Sequence, residues 1–339
     1  MIVVLKPNTS DENLDLALKI IKDLGYEPKV IKGSEQTVIG AVGNEHKNQS
    51  LDRLNNLDFV QNVLPIQKQY KLASREFKKE NSIVNVGGYL LGAGHFQVIA
   101  GPCSIESYEQ MKETTQDLIK CGIKIIRGGA YKPRTSPYAF QGLGEEGLDI
   151  LLAMKKEFGV AVITEVVGVS HIDKVAEIAD CLQIGARNCQ NYHLLEMVAD
   201  KGKPVLLKRG MATSVSEWLS AAEYLLVNGC PDVILCERGI RTFETCTRNT
   251  LDLGAVAVAK LETHFPVIVD PSHAAGKVNL VLPLSKAAIA VGADGLIVEA
   301  HPDPVKASSD AAQQIKSSSF HIFMKSIEPF VNAAGFNLQ

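Results

Sequence analysis

The chain has no run approaching the ~18 uncharged apolar residues that a membrane-spanning helix needs, and no excess of positive charge. Its formal net charge is -3 over 339 residues. That argues against general binding to nucleic acid or an anionic membrane surface, because sequence-independent phosphate binding needs a basic surplus. Any anion binding is therefore local. Cysteine pairs at metal-finger spacing are missing: Cys103, Cys121, Cys181, Cys189, Cys230, Cys236 and Cys246 are scattered and odd in number. The opening Met1-Ile-Val-Val-Leu5 is too short for an export signal, so a cytoplasmic chain with reduced thiols is expected. No apolar run is followed by the Gly-x-Gly-x-x-Gly turn of a dinucleotide site.

Hydrophobic residues make up 46% of the chain, enough for a large core, and the length suggests more than one domain. Residues 1–65 read as strand, helix, strand, strand, short helix, strand. Strands are expected at 2–5, 30–31, 37–42 and 60–64, with a turn at Lys32-Gly33-Ser34-Glu35. Ser10 or Asp11 caps a helix carrying Leu14, Leu18, Ile21 and Leu24 on one face, and Leu51, Leu54 and Leu57 mark the second helix. The pattern is βαββαβ, a small ferredoxin-like sandwich. Residues 66–82 are charged and lack a sustained apolar period, as in a linker. In 84–96, Gly87-Gly88 and Gly92 between two apolar runs suggest a hairpin that plugs the floor of the next domain.

Residues 83–339 read as one domain that includes this hairpin, and from Phe96 onward one unit repeats: a short apolar run, a polar or glycine-rich turn, a helical stretch. The runs lie at 96–100, 123–126, 160–164, 181–184, 205–207, 233–236, 267–269 and 295–298, with a closing helix at about 320–334. Continuous apolar runs suit strands covered on both faces, and eight successive units match a (β/α)8 barrel rather than a doubly wound open sheet. Barrel strands of one polarity end on one rim, where active sites are built. The residues just past the runs include Cys103, Arg127, Glu165, Arg187, Lys208, Arg238, Asp270, Ser272, His273 and Glu299. Arg127, Lys132, Arg134, Arg187, Lys208, Arg238 and Arg241 form a cationic set, and gathering so many cations in an acidic chain requires a polyanionic ligand such as a phosphate ester or carboxylate. Arg209 and Arg248 are expected to be solvent-exposed or structurally paired. Cys103, His273, Glu299 and Asp310 form a second set, with His301 as a rival ligand. Mixed thiolate, imidazole and carboxylate donors suit a divalent ion of the Mn, Fe, Co or Zn class better than Mg or Ca. The alternative for Cys103 is a small buried hydrophobe.

Gly101-Pro-Cys-Ser104, Arg127-Gly-Gly-Ala-Tyr-Lys-Pro-Arg-Thr-Ser136, Gln183-Ile-Gly-Ala-Arg-Asn188, Leu207-Lys-Arg-Gly210, Cys236-Glu-Arg-Gly-Ile-Arg241 and Asp270-Pro-Ser-His273 closely resemble the 3-deoxy-D-arabino-heptulosonate-7-phosphate (DAHP) synthase family. The front domain resembles the regulatory extension of its type I beta branch. The resemblance implies metal-dependent condensation of phosphoenolpyruvate with erythrose 4-phosphate, the first step of the shikimate route to chorismate and the aromatic amino acids. It further implies feedback by Tyr or Phe and a homotetramer. It assigns phosphoenolpyruvate to Arg127, Lys132, Arg187, Lys208 and Arg238 with Gln183 and Glu165 nearby, and the sugar phosphate to Arg134 and Thr135. Lys132 is the candidate for proton traffic, or else a pure phosphate clamp; Asp270, near Ser272 and His273, is expected to orient a metal-bound water or a sugar hydroxyl. Two alternatives stand. One is the sister synthase making 3-deoxy-D-manno-octulosonate 8-phosphate, usually with Lys-Ala-Asn-Arg-Ser where this chain has Lys132-Pro133-Arg134-Thr135. The other is a non-catalytic sugar-phosphate sensor.

Overall fold

The structure is a computed structural model that describes residues 1–32, 37–43, 50–64, 69–133, 136–230 and 232–338. It divides into two compact units, Met1–Gln69 and Tyr70–Gln339. The first contains β1 (Ile2–Leu5), α1 (Asp11–Asp23), β2 (Glu27–Lys32), β3 (Thr37–Val42) and β4 (Val60–Leu64). Its antiparallel sheet has the order β2-β3-β1-β4 of a ferredoxin-like sandwich. The Ser10 hydroxyl accepts the Asn13 N–H to start α1, and Ala17 and Ile21 bury against Val3, Leu5, Ile39 and Ala41. The expected second helix is a 3-10 segment, Leu51–Asn56, that still buries Leu51 and Leu54. Most of the turn expected around Gly33 lies outside the described residues.

The stretch read as a linker behaves differently from Tyr70 onward. Leu72 and Ala73 donate their N–H groups to the Glu223 carboxylate at 3.0 and 2.9 Å. Arg75 N–H reaches the Glu262 carbonyl at 2.9 Å, and Ser82 N–H the His264 carbonyl at 2.7 Å. Tyr70 and Ala73 join the barrel core. Anchoring through backbone groups needs no apolar period, which is why the pattern looks like a linker. The hairpin β5 (Val84–Val86) and β6 (Tyr89–Leu91) follows. Gly87 and Gly88, at φ 58 and 100°, make its turn. Val84, Val86 and Leu91 pack on the inward-facing Ile99, Ile125, Ile163, Leu206, Ile234, Ile268 and Ile297, so the hairpin plugs the barrel.

The barrel strands are β7 (His95–Gly101), β8 (Ile125–Arg127), β9 (Ala161–Glu165), β10 (Cys181–Ile184), β11 (Val205–Lys208), β12 (Val233–Glu237), β13 (Val267–Val269) and β14 (Gly295–His301). Each pairs in parallel with the next, and β14 returns to β7 from Gly295↔Gln97 to Glu299↔Gly101, closing the cylinder. The helices are α2 (Tyr108–Lys120), α3 (Glu145–Phe158), α4 (Ile172–Ile178), α5 (Tyr192–Ala199), α6 (Val215–Val227), α7 (Leu253–Glu262), α8 (Pro271–Ala275), α9 (Val278–Ala290) and α10 (Phe320–Ala333). Strand residues such as Val98, Ile126, Val162, Leu182 and Leu207 are buried with helix residues such as Leu118, Leu151 and Leu225 in the outer core layer. Burial on both faces accounts for the continuous apolar runs.

Candidate active site

Every barrel strand delivers its chemistry at its carboxyl end. Cys103, just past β7, is fully buried. Its Sγ lies 3.3 Å from Asp310 Oδ2, 3.1 Å from Ser309 Oγ and 3.2 Å from Lys132 Nζ. His273 sits in the first turn of α8, whose N-cap is Asp270. Asp270 Oδ1 accepts the His273 N–H at 2.9 Å, and Oδ2 accepts from His273 Nδ1 at 2.7 Å. This fixes the tautomer and turns Nε2 toward Glu299 Oε1 and Asp310 Oδ2, at 3.5 and 3.7 Å. The thiol, imidazole and two carboxylates offer ligand atoms all within 4.8 Å of one another.

Their protonation states fit a cation. Burial, then the Glu299 charge, pushes the Cys103 thiol up to about 12, so a metal ion taking the thiolate must release its proton. Burial holds His273 below its ordinary value despite Asp270 and Glu299, leaving a neutral imidazole able to ligate. Burial opposes ionisation of Glu299, but the Arg127 guanidinium counters it and the carboxyl is held low; the Arg248 guanidinium does the same for Asp310. Two anionic oxygens, one imidazole nitrogen and one sulfur match a borderline divalent ion. His301 is not in the cluster; its Nδ1 accepts the Asp303 N–H at 3.0 Å.

Beside this cluster lies a cavity of about 390 Å³ lined by Arg127, Lys132, Arg187, Lys208, Arg238, Arg241 and Arg248, together with Glu165, Gln183, His273 and Asp310. Two cations belong to both halves. Arg127 Nη1 donates to Glu299 Oε1 at 2.7 Å, and Lys132 Nζ to the Cys103 carbonyl at 2.9 Å. Arg127 Nε is buried with no partner among the described residues, a donor that a bound anion would satisfy. Burial disfavours the charged form of Lys132, but the carboxylates of Glu165 and Glu299 counter it and the ammonium is kept. Gln183 Nε2 donates to Glu165 Oε2 at 3.3 Å.

Some residues sit elsewhere than expected. Arg134 and Thr135 lie outside the described residues. Ser272 is not on the cavity wall: it is fully buried, and its hydroxyl accepts the Glu299 N–H at 3.0 Å, supporting the end of β14. Asp270 is 1% exposed. Its Oδ2 holds Lys208 Nζ at 2.5 Å as well as His273 Nδ1, while Oδ1 holds the His273 backbone. Arg209 is paired with Glu237 and Asp252, each at 2.9 Å, as a structural cation. Arg248 lines the cavity instead, 3.1 Å from Asp310 Oδ2. Gln313 has no signal in the sequence; its Nε2 donates to Glu299 Oε2 at 2.7 Å.

A closed parallel barrel whose rim joins a cation-lined cavity to a mixed thiol, imidazole and carboxylate set defines a barrel enzyme for anionic substrates. The DAHP synthetase I family model matches residues 72–331, and that of the DAHP synthase ferredoxin-like domain matches residues 1–68. This chain belongs to the DAHP synthetase I family. It is 48% identical over 335 residues to a phospho-2-dehydro-3-deoxyheptonate aldolase of Thermotoga maritima, covering 99% of each chain. A crystal structure of that Thermotoga maritima aldolase (DAHP synthase) superimposes with a TM-score of 0.94 at 46% identity, covering 100% of this chain and 99% of the other. A 2-dehydro-3-deoxyphosphooctonate aldolase of Aromatoleum aromaticum is 34% identical over 266 residues, covering 71% of this chain and 94% of its own.

Proposed function

We propose that the chain is a 3-deoxy-7-phosphoheptulonate synthase, condensing phosphoenolpyruvate, erythrose 4-phosphate and water to DAHP and phosphate. The observation that carries the reading is the sharing of Arg127 and Lys132 between the cation-lined cavity and the donor cluster. An anion held by these groups lies directly against the thiol, imidazole and carboxylates. Phosphoenolpyruvate carries about three negative charges and the sugar phosphate nearly two, so their encounter in water is opposed by Coulomb repulsion. Seven cavity cations remove that barrier.

In this reading Arg127, Lys132, Arg187, Lys208 and Arg238 hold phosphoenolpyruvate, Gln183 and Glu165 complete its surroundings, and Arg134 and Thr135 clamp the sugar phosphate. Cys103, His273, Glu299 and Asp310 hold a divalent ion of the Mn, Fe, Co or Zn class, which when bound supplies Lewis acidity to a carbonyl oxygen. The methylene carbon of phosphoenolpyruvate bonds to the aldehyde carbon, water adds at the former enol carbon, and the carbon–oxygen bond to phosphate breaks. Lys132, held as an ammonium beside Cys103, is the proton donor we assign to the aldehyde oxygen. Asp270 keeps His273 in its ligating tautomer and Lys208 in place.

The match of residues 1–68 to the family's ferredoxin-like domain supports feedback by Tyr or Phe through the first unit. We further place a homotetramer in the cytoplasm. Seven unpaired cysteines are compatible with a reducing compartment, and among the described residues no helix is long and apolar enough to cross a membrane. The deciding assay is phosphate release with erythrose 4-phosphate or arabinose 5-phosphate, each with and without Tyr or Phe. Turnover with the four-carbon sugar is expected. Preference for arabinose 5-phosphate would reassign the chain to the octulosonate branch, and binding without release would make it a sensor.

A further inference from the structure

We propose that Arg248 and Gln313 form one positioning brace that holds the two carboxylates of the donor cluster in ligating pose. The inference rests on the metal-site reading above and concerns residues outside the ligand set. Gln313 is 2% exposed. Its Nε2 donates to Glu299 Oε2 at 2.7 Å and lies 3.4 Å from Asp310 Oδ2, while its Oε1 accepts from Arg248 Nη1 at 3.0 Å. The same Arg248 nitrogen is 3.1 Å from Asp310 Oδ2. Each carboxylate therefore has a cation of its own, Arg127 on Glu299 and Arg248 on Asp310, with one neutral amide donor between them.

The geometry explains why a brace is needed: two carboxylates beside one another repel. An amide between the two orients both without adding a further positive charge to those of Arg127 and Arg248. With Oε2 of Glu299 engaged by Gln313, Oε1 faces His273 Nε2 and accepts from Arg127 Nη1. Arg248 is itself pinned to the element that carries His273. Its N–H donates to the Ala275 carbonyl at 3.1 Å, and the next residue, Asn249, donates Nδ2 to the His273 carbonyl at 3.0 Å. Gly276 leaves room for its stem, since a Cβ there would come within 2.6 Å of Arg248 Cβ. The brace thus ties three of the four ligand residues together. The fourth is held by the neighbouring Gln314, whose Oε1 accepts the Cys103 N–H at 3.1 Å.

The test uses the full chain, stripped with a chelator and titrated with Co²⁺, read by affinity and by the visible bands of the bound ion, including sulfur-to-cobalt charge transfer. Gln313→Met and Arg248→Met are each expected to weaken Co²⁺ binding about 10- to 100-fold and to alter the bands, the usual effect of losing a group that orients a ligand. Because they form one unit, the double variant is expected to be little worse than the weaker single. Arg248, with a side chain 38% exposed on the cavity wall, supplies the reading even if Gln313→Met does not fold. Affinities within about twofold of the parent with unchanged bands, or multiplicative losses in the double variant, would overturn the brace. A parent chain that binds no Co²⁺ through sulfur would overturn the metal-site reading itself, and the brace with it.

Discussion

Replacing Asp270 by Asn removes one charge and almost no volume, yet every contact of this side chain depends on its being a carboxylate. Oδ2 accepts from two donors, Lys208 Nζ at 2.5 Å and His273 Nδ1 at 2.7 Å, and Oδ1 accepts from the His273 backbone N–H at 2.9 Å. An amide has one acceptor side. If its oxygen faces Lys208 and His273, its NH₂ opposes the backbone N–H; if it is flipped, its NH₂ opposes the ammonium and drives His273 to the tautomer with the proton on Nε2. The first arrangement disturbs the helix start, and the second removes the nitrogen lone pair from the donor cluster. Either way Lys208, 4% exposed, keeps a buried charge without its counter-ion, and breaking such a pair costs about 3–5 kcal/mol. Asp270 is held well below the ordinary carboxylate range: burial opposes its ionisation, but the hydrogen bonds from His273 and the Lys208 ammonium outweigh it. The parent therefore carries the ion pair throughout the neutral range. Urea unfolding of Asp270→Asn at neutral pH is expected to show that loss, together with a metal affinity reduced at least about 10-fold. A variant with parental stability and parental metal affinity would refute the orienting role.

Three other changes probe separate parts of the structure. Cys103→Ser keeps the shape of a fully buried site but exchanges a soft sulfur for a harder oxygen; retained metal should fall after dialysis, and unchanged metal content and rate would remove Cys103 from the ligand set. Gly101→Ala places a Cβ on the Arg127 carbonyl oxygen at a position with φ 154°, so a loss of more than about 2 kcal/mol is expected; a urea midpoint equal to the parent's would contradict this close approach. His264, which contacts Ser82 Oγ and the Leu72 carbonyl at 2.8 Å, is held below its ordinary value by burial, with Lys78 and Arg75 adding to the effect. The unfolded chain takes up this proton near pH 6.5, before the folded chain does, so the contribution is present above that pH and lost as pH falls toward the folded value. Between about pH 7.5 and about pH 5.5 the stability of His264→Gln is expected to fall less than the parent's; equal slopes would show that His264 titrates alike in both states.

The strands were legible because burial on both faces forces apolar residues at consecutive positions, and the expected runs fall within or beside the observed β7 to β14. Glycine pairs and capping residues likewise marked the hairpin and α1, since their backbone demands are local. The short second helix of the front domain was legible from Leu51, Leu54 and Leu57, but that spacing does not tell the observed 3-10 form from an α-helical one. Ligand candidates could be found one at a time because Cys, His and acidic residues at strand ends are chemically conspicuous. Arg248 and Gln313 were not: a cation on a long loop resembles any surface arginine, and an amide in Ala-Ala-Gln-Gln has no local signature.

By itself, the order of residues determined a small sandwich followed in sequence by an eightfold parallel barrel, and a rim rich in cations and metal-binding groups. Only closure of the cylinder decided which of those groups meet. It brought Cys103 to Asp310 across 207 positions and Arg127 to Glu299 across 172, turned Ser272 away from the cavity and engaged both oxygens of Asp270. The physical reason is one of range. Strand and helix formation answer to neighbours along the chain, whereas the pose of a buried carboxylate is set by whichever donors the fold places around it.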